Sequence, residues 1–376
     1  MTVTPRHLAQ ELDLLRVRAR RFVTDEMAAD AFEPRCDSWL VGFDPSFSKR
    51  LAAAGLVGMT IPREFGGAGL AALHRFVVIE ELLAAGAPLA AHWFAERQIG
   101  PALLRHGTRA LQDEWLPRIV RGEASFAVGL SEPAAGSDLA AVRTRAVPVD
   151  GGHLISGTKT WSSNAHRADA IVVLARTSSE GRRHQGLTQF LVRLPDDSVR
   201  ISPIPSLDGR HHFNEVTFTE TFVADGDVLG AVGAGWSQVV TELSFERSGP
   251  ERYLSTMPLL RTVVAELPRL RTTDQVRLGE LLAHLGSLRH MSEQVARSMM
   301  NGSAPDAVAA SVVKDLGTRF EADSVDLAHA LAARVPDPSP RLVRLLREAR
   351  VQAPGFTLRG GTNEILRTII SKELLR

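Results

Sequence analysis

A chain of 376 residues, 44% hydrophobic and 23% charged, is long enough for two or three domains and buries enough surface to need no staples. Its 44 Lys and Arg against 43 Asp and Glu leave a formal charge of +1, which gives no electrostatic footprint for nucleic acid or an anionic membrane. The single cysteine, Cys36, excludes an internal disulfide framework and argues against a cysteine-based metal site.

Up to about residue 126 the periodicity is helical. Leu8, Leu12 and Leu15 fall on one face, continued by Phe22, with Thr4 as a candidate N-cap and Pro5 at the first helical position. The opening residues carry no apolar signal-peptide region, and no apolar run approaches the roughly 18 residues of a membrane span, so the cytoplasm is the expected compartment. Residues 61–69 read as a glycine-punctuated loop, and residues 76–83 as a helix stopped near Gly86 and Pro88.

From about 127 to 233 the pattern changes. Asp150-Gly151 signals a hairpin turn. Residues 170–175 form a short apolar run, as a buried strand would. Val216, Phe218 and Phe222 lie on alternate positions of another predicted strand. Several short strands with turns suggest a sandwich or barrel. From Trp236 onward the periodicity is helical again, broken by three prolines within residues 335–340. Thr362 caps a last helix whose apolar face is Ile365, Leu366, Ile369 and Ile370. The expected division is a helical domain over 1–126, a β domain over 127–235 and a helical bundle over 236–376, an α+β chain.

Four short motifs carry chemistry. The run Leu130-Ser131-Glu132-Pro133-Ala134-Ala135-Gly136-Ser137-Asp138 has small residues whose main-chain N–H groups can approach an anion, although such a run is also an ordinary turn. In Gly157-Thr158-Lys159-Thr160-Trp161-Ser162-Ser163-Asn164, a tryptophan beside hydroxyls can stack on a flat heteroaromatic ring; it can equally be core. In Phe245-Glu246-Arg247-Ser248-Gly249, a carboxylate among apolar neighbours can act as a base, where the plain reading is a surface charge pair. The run Leu358-Arg359-Gly360-Gly361-Thr362-Asn363-Glu364-Ile365 puts free N–H groups at a helix start, suited to a polar ligand or simply to a loop–helix junction. The twelve histidines show no HExxH-like spacing, so no metal site is expected.

In this order, on a helix–strand–helix layout, the four motifs resemble the acyl-CoA dehydrogenase family. The resemblance spans nearly the whole chain. It takes in residues 51–69 (LAAAGLVGMTIPREFGGAG), Glu80-Glu81-Leu82, Gly100-Pro101, His106-Gly107-Thr108, Leu116-Pro117 with Gly122, Leu229-Gly230, and Gly235-Trp236. It implies an N-terminal helical domain, a middle β domain, a C-terminal four-helix domain, and FAD between the last two. It also implies α,β-dehydrogenation of an acyl-CoA thioester to the 2-enoyl-CoA. By this resemblance the segment from Val128 through Leu130, Ser131 and Gly136 to Ser137 lines the flavin and its pyrophosphate, with Ser137 also near substrate. Trp161 packs on the isoalloxazine, Ser163 meets flavin N5 with Ser162 beside it, and Thr362 and Glu364 lie near the cofactor.

Two departures from the commonest family pattern shape the expectations. Many members place the catalytic glutamate directly before the Gly-Thr that opens the last helix; here Gly360 stands there and can offer only its N–H to the enolate oxygen. A smaller set carries the base in a Glu-Arg pair after the β domain, which assigns the proton abstraction to Glu246, with Arg247 holding the CoA end or ordering the pocket. The family also binds the ADP half of FAD across a subunit interface with an Arg followed by Phe-Gly, and a Gln with Gly-Gly. Here Arg271 is followed by Thr272-Thr273-Asp274-Gln275, and no Gly-Gly occurs around residues 331–336. The expectation is a homologous partner subunit in a heterotetramer, or else a homo-oligomer, with an electron-transfer flavoprotein as acceptor. The rival readings are a non-catalytic partner subunit and an acyl-CoA oxidase-like enzyme.

Overall fold

The computed structural model describes residues 5–299 and 306–375; the expected cap Thr4 lies outside them. The chain opens with α1 (Pro5–Ala28), α2 (Ser38–Val41), α3 (Pro45–Ala53) and α4 (Ala72–Ala84). The heptad-like face of α1 does what its spacing predicts: Leu8, Leu12 and Leu15 pack against Leu73, Phe76 and Val77 of α4. Each such side chain contributes roughly 1.5–3 kcal/mol when fully removed from water. Pro45 sits in the first turn of α3, and Asp44 caps it by accepting a hydrogen bond from the Phe47 N–H at 3.0 Å. Next, α5 (Ala90–Phe94) runs through a π-helical turn into α6 (Gly100–His106), followed by α7 (Arg109–Val120).

Eight strands follow: β1 (Phe126–Gly129), β2 (Arg145–Val149), β3 (Gly152–Ser163), β4 (Ala170–Arg176), β5 (Leu187–Arg193), β6 (Val199–Ile204), β7 (Phe213–Ala224) and β8 (Val228–Leu229). They are ordered β6-β7-β3-β2-β4-β5-β8, with β1 parallel to β4. A single pair, Arg145 with Arg176, joins β2 to β4, so the sheet folds there into two leaves. Ile155, Val216, Phe218 and Val223 of one leaf meet Ile171, Val173, Phe190 and Val192 of the other. The opposite face of β4, with Ala170 and Val172, packs with Leu111, Trp115 and Ile119 of α7. Covered on both faces, β4 has the unbroken apolar run of a buried strand rather than an alternation. The Asp150-Gly151 hairpin forms as expected, with Val149 paired to Gly152 and Gly151 at φ 73°.

One expectation fails. Val216 and Phe218 are buried, but Phe222 is 53% exposed. Pairing steps from Gly157–Phe218 to Ile155–Thr221, so three steps along β7 oppose two along β3. The extra residue is accommodated at Glu220, which adopts φ 51°, and the bulge turns every later side chain to the other face. Val223, not Phe222, then points inward.

Helices resume with α8 (Gly235–Arg247), α9 (Met257–Glu266), α10 (Thr272–Ser298), α11 (Ala307–Ala332), α12 (Pro340–Phe356) and α13 (Asn363–Leu374). The three prolines separate α11 from α12, where Ser339 caps the new helix at Leu342 N–H. Thr362 caps α13, and Leu366 is its fully buried anchor. Contacts divide the chain into two units: Met1–Gly42, Leu70–Leu89 and Ser244–Arg376 form a helical unit, while Phe43–Gly69 and Ala90–Leu243 hold all the strands. Among the described residues no helix is long and apolar enough to cross a membrane.

Candidate active site

Within the strand unit, the loop after β1 is fastened to β3 by a buried ion pair. Lys159 Nζ lies 2.8 Å from Glu132 Oε1 and donates to the Leu130 carbonyl at 3.0 Å. The Glu132 carboxylate also accepts the N–H groups of Arg143 at 2.7 Å and Thr144 at 2.9 Å. Burial pushes the Lys159 ammonium down to about 8, with Glu132 pulling the other way. Burial works to raise Glu132, but the charge and hydrogen bond of Lys159 and the two N–H groups outweigh it and leave the carboxyl below its usual range. The Thr160 N–H closes the join by donating to the Ser131 carbonyl at 2.9 Å.

Above this anchor β3 bulges. Pairing runs from Lys159–Val216 to Ser162–Asn214, so the extra residue falls at Thr160 and Trp161. Trp161 takes φ 62°, a strained value for a bulky side chain, and stands 57% exposed, edge-on to Phe213 at 5.7 Å. Ser163 is nearly buried, and Ser162 Oγ is buried with no hydrogen-bond partner among the described residues. Val128, Leu130 and Ser131 are half-buried, while Gly136 and Ser137 are exposed, and a Cβ added at Gly136 would meet nothing within 4 Å. A wide aromatic face held open by strain, a hydroxyl without a partner and a loop with room beside its backbone fit a flat heteroaromatic ring with a polar edge.

The helical unit collects a second group. Glu246, near the end of α8, places Oε1 2.7 Å from Nη2 of Arg252. Arg247 is buried and donates from Nε to the Gly360 carbonyl at 3.0 Å. Burial lowers the Arg247 pKa, Glu246 raises it and Arg252 lowers it again. Gly360 adopts φ 70°, and a Cβ built there would lie 3.1 Å from Glu246 Oε1. The residue that cannot be a base and the residue expected to replace it are therefore neighbours. The apolar surroundings expected for Glu246 are not what the fold provides; its neighbour is a buried guanidinium. Elsewhere in this unit Glu364 is exposed in the first turn of α13, beside its Thr362 cap. Arg271 is exposed at the start of α10, where Asp274 accepts its N–H at 2.8 Å and pairs with Arg334 at 2.7 Å. Arg271 and Arg334 border a cleft of about 660 Å³ lined also by Leu267, Arg269, Thr272 and Gln275.

Three family models, the N-terminal, middle and C-terminal domains of acyl-CoA dehydrogenase, match residues 9–123, 127–221 and 271–375. The chain belongs to the acyl-CoA dehydrogenase family. IpdE1, an acyl-CoA dehydrogenase of Mycobacterium tuberculosis, is 33% identical to it over 97% of this chain and 98% of its own. The mitochondrial isovaleryl-CoA dehydrogenase of Arabidopsis thaliana is 28% identical over 89% of this chain and 84% of its own. The solved structure of the Tcur3481-Tcur3483 steroid ACAD superposes with a TM-score of 0.85 at 26% identity, covering 97% of both chains.

This acyl-CoA dehydrogenase is thus an oxidoreductase of an FAD-dependent family. Its strand unit holds the residues from Val128 to Ser163 that were expected at the flavin. Its helical unit holds Glu246, Arg247, Arg271, Gly360, Thr362 and Glu364. Sequence reasoning missed Arg252. Nothing in Gly249-Pro250-Glu251-Arg252 marks that arginine as buried, because its partner Glu246 lies on another element. The pairing of Glu132 with Lys159 was also missed, although both residues lie inside quoted motifs; a lysine in the middle of a strand was the available signal.

Proposed function

We propose that this acyl-CoA dehydrogenase oxidises the Cα–Cβ bond of an acyl-CoA thioester with Glu246 as the base that removes the α-proton. The observation that carries the reading is the approach of Glu246 to the Gly360 main chain, which puts a carboxylate where the family's commoner base would begin. Bound FAD supplies the hydride acceptor. Trp161 offers its face to the flavin ring and Ser163 its hydroxyl to the ring's polar edge; Ser162 and the loop from Val128 to Ser137 line the remainder. The Gly360 N–H is assigned as a donor to the thioester oxygen, where negative charge develops as the proton leaves. Arg247, held on the Gly360 carbonyl, orders this loop against α8.

A further reading concerns assembly. Where the resemblance leads one to expect an arginine followed by Phe-Gly, this chain has Arg271-Thr272-Thr273-Asp274-Gln275 without Phe-Gly, and Asp274 pairs with Arg334. A loop without glycine cannot let a phosphate approach its backbone as closely. We therefore infer that a homologous subunit completes the FAD site, giving a heterotetramer that passes electrons to an electron-transfer flavoprotein in the cytoplasm. The steroid ACAD named as the pair Tcur3481-Tcur3483 supports this, and it favours bulky, ring-bearing acyl groups.

The test is to co-express the chain with its genetic neighbour and screen acyl-CoAs for flavin bleaching, parent against Glu246→Gln. The variant keeps shape and loses basicity. It should reduce flavin about 10³-fold more slowly. Bleaching at near the parent rate would remove Glu246 from the mechanism. A fully flavinated homo-oligomer of the chain alone would overturn the partner reading. No bleaching by any acyl-CoA in the assembled complex would favour a non-catalytic subunit, and peroxide in proportion to product would favour an oxidase.

A further inference from the structure

Arg252 is 2% exposed, which demands a reason for so costly a burial. Its guanidinium stacks over Trp39 at 5.3 Å, and its Nε lies 3.7 Å from Glu251. Trp39 is itself fixed, with Nε1 donating to Ser255 Oγ at 3.2 Å and Arg359 over its ring at 4.9 Å. Arg359 in turn is paired with Asp37 and lies 3.7 Å from Glu321. The guanidinium of Arg252 is therefore rigidly placed. From that position it grips one residue twice: Nε donates to the Glu246 carbonyl at 3.1 Å and Nη2 to the Glu246 carboxylate at 2.7 Å. A fork that holds both main chain and side chain of the same residue removes the torsional freedom of that side chain.

Gly360 closes the arrangement from the other side. A Cβ there would lie 3.0 and 3.1 Å from the two terminal nitrogens of Arg252, besides its 3.1 Å approach to Glu246. A side chain at 360 would be strained by φ 70° and would push the ion pair by a few tenths of an ångström.

We propose that Arg252 is the positioning residue for Glu246, and that a side chain at Gly360, already strained by φ 70°, would press on the Arg252–Glu246 pair and shift the carboxylate. The proposal rests on Glu246 being the base. It goes beyond that assignment by naming what aims the carboxylate and what a side chain at 360 would disturb.

The experiment uses the assembled, flavin-loaded complex and whichever of butyryl-, octanoyl- and steroid side-chain acyl-CoA bleaches it fastest. Two quantities are read per flavin: the rate constant of flavin reduction, and exchange of the substrate α-hydrogen with D₂O by NMR, which reports the base without hydride transfer. Arg252→Gln should lower both 10- to 100-fold while the acyl-CoA Kd changes less than threefold. Arg252→Lys should recover at least half of that loss on a logarithmic scale. Gly360→Ala should lower both at least tenfold, and should add little in the Arg252→Gln background, because the pair it displaces is already gone. Should Arg252→Gln fail to hold flavin, Arg252→Lys and Gly360→Ala decide by the same criteria. Exchange within threefold of the parent in Arg252→Gln, or a fully additive double variant, overturns the proposal. Undiminished exchange in Glu246→Gln is a separate result: it removes the base assignment, whatever the Arg252 variants do.

Discussion

Gln189 donates from Nε2 to Glu242 Oε2 at 3.0 Å, and the other carboxylate oxygen of Glu242 is buried without a partner among the described residues. Burial pushes the Glu242 carboxyl up to about 7, with the Gln189 hydrogen bond and the charge of Arg105 pulling it down. Its value in the unfolded chain is the ordinary 4.5. The folded state therefore holds a proton that the unfolded state releases between those values. The stability this contributes is complete below about pH 4.5 and is lost as pH rises through 7. Glu242→Gln lacks this dependence. Thermal unfolding at pH 5 and pH 7.5 should show the variant gaining on the parent as pH rises, by on the order of 2 kcal/mol. A gap that stays constant with pH would contradict the assignment.

The pairing of Glu132 with Lys159 makes a second prediction. Lys159→Met leaves a buried carboxylate facing no cation and should cost about 3–5 kcal/mol of stability. It should also loosen the loop that Lys159 ties through the Leu130 carbonyl, so that flavin dissociates faster from protein that still folds. Glu132→Gln, which keeps acceptors for the N–H groups of Arg143 and Thr144 only in part, should lie between that variant and the parent. Denaturant unfolding and flavin fluorescence read the two effects; a stable Lys159→Met protein would show that the pair does not anchor the loop.

Trp161 is predicted to separate binding from stability. Its side chain is mostly exposed and its backbone is strained, so Trp161→Gly relieves strain while removing the aromatic face. The flavin-free protein should gain about 1 kcal/mol of stability. Flavin affinity should fall at least tenfold. Both changes in the same direction would mean that Trp161 is structural.

The bulge at Glu220 is tested by two phenylalanines on β7. Phe218→Ser removes a buried side chain and should cost about 3 kcal/mol or more. Phe222→Ser replaces an exposed one and should stay within roughly 0.5 kcal/mol. Equal losses would mean that the strand alternates without interruption.

Much of this protein was legible before its fold was known, for local reasons. The face of α1, the hairpin at Asp150-Gly151, the unbroken apolar run of β4 and the cap at Thr362 follow from periodicity and turn chemistry, which act over a few residues. The motifs carried the family. Phe222 was misplaced because a bulge depends on which strand lies opposite, and alternation within one strand holds no record of it.

Sequence by itself determined the order of helices and strands, the family, and the lack of a carboxylate at Gly360. Tertiary structure alone decided that Glu246 lies against Gly360 in the grip of Arg252, and that Lys159 is the counter-ion of Glu132. Residue pairs separated by 114 and 27 positions meet through folding of the backbone. Charge and volume are then balanced in space, where spacing along the chain carries no signal.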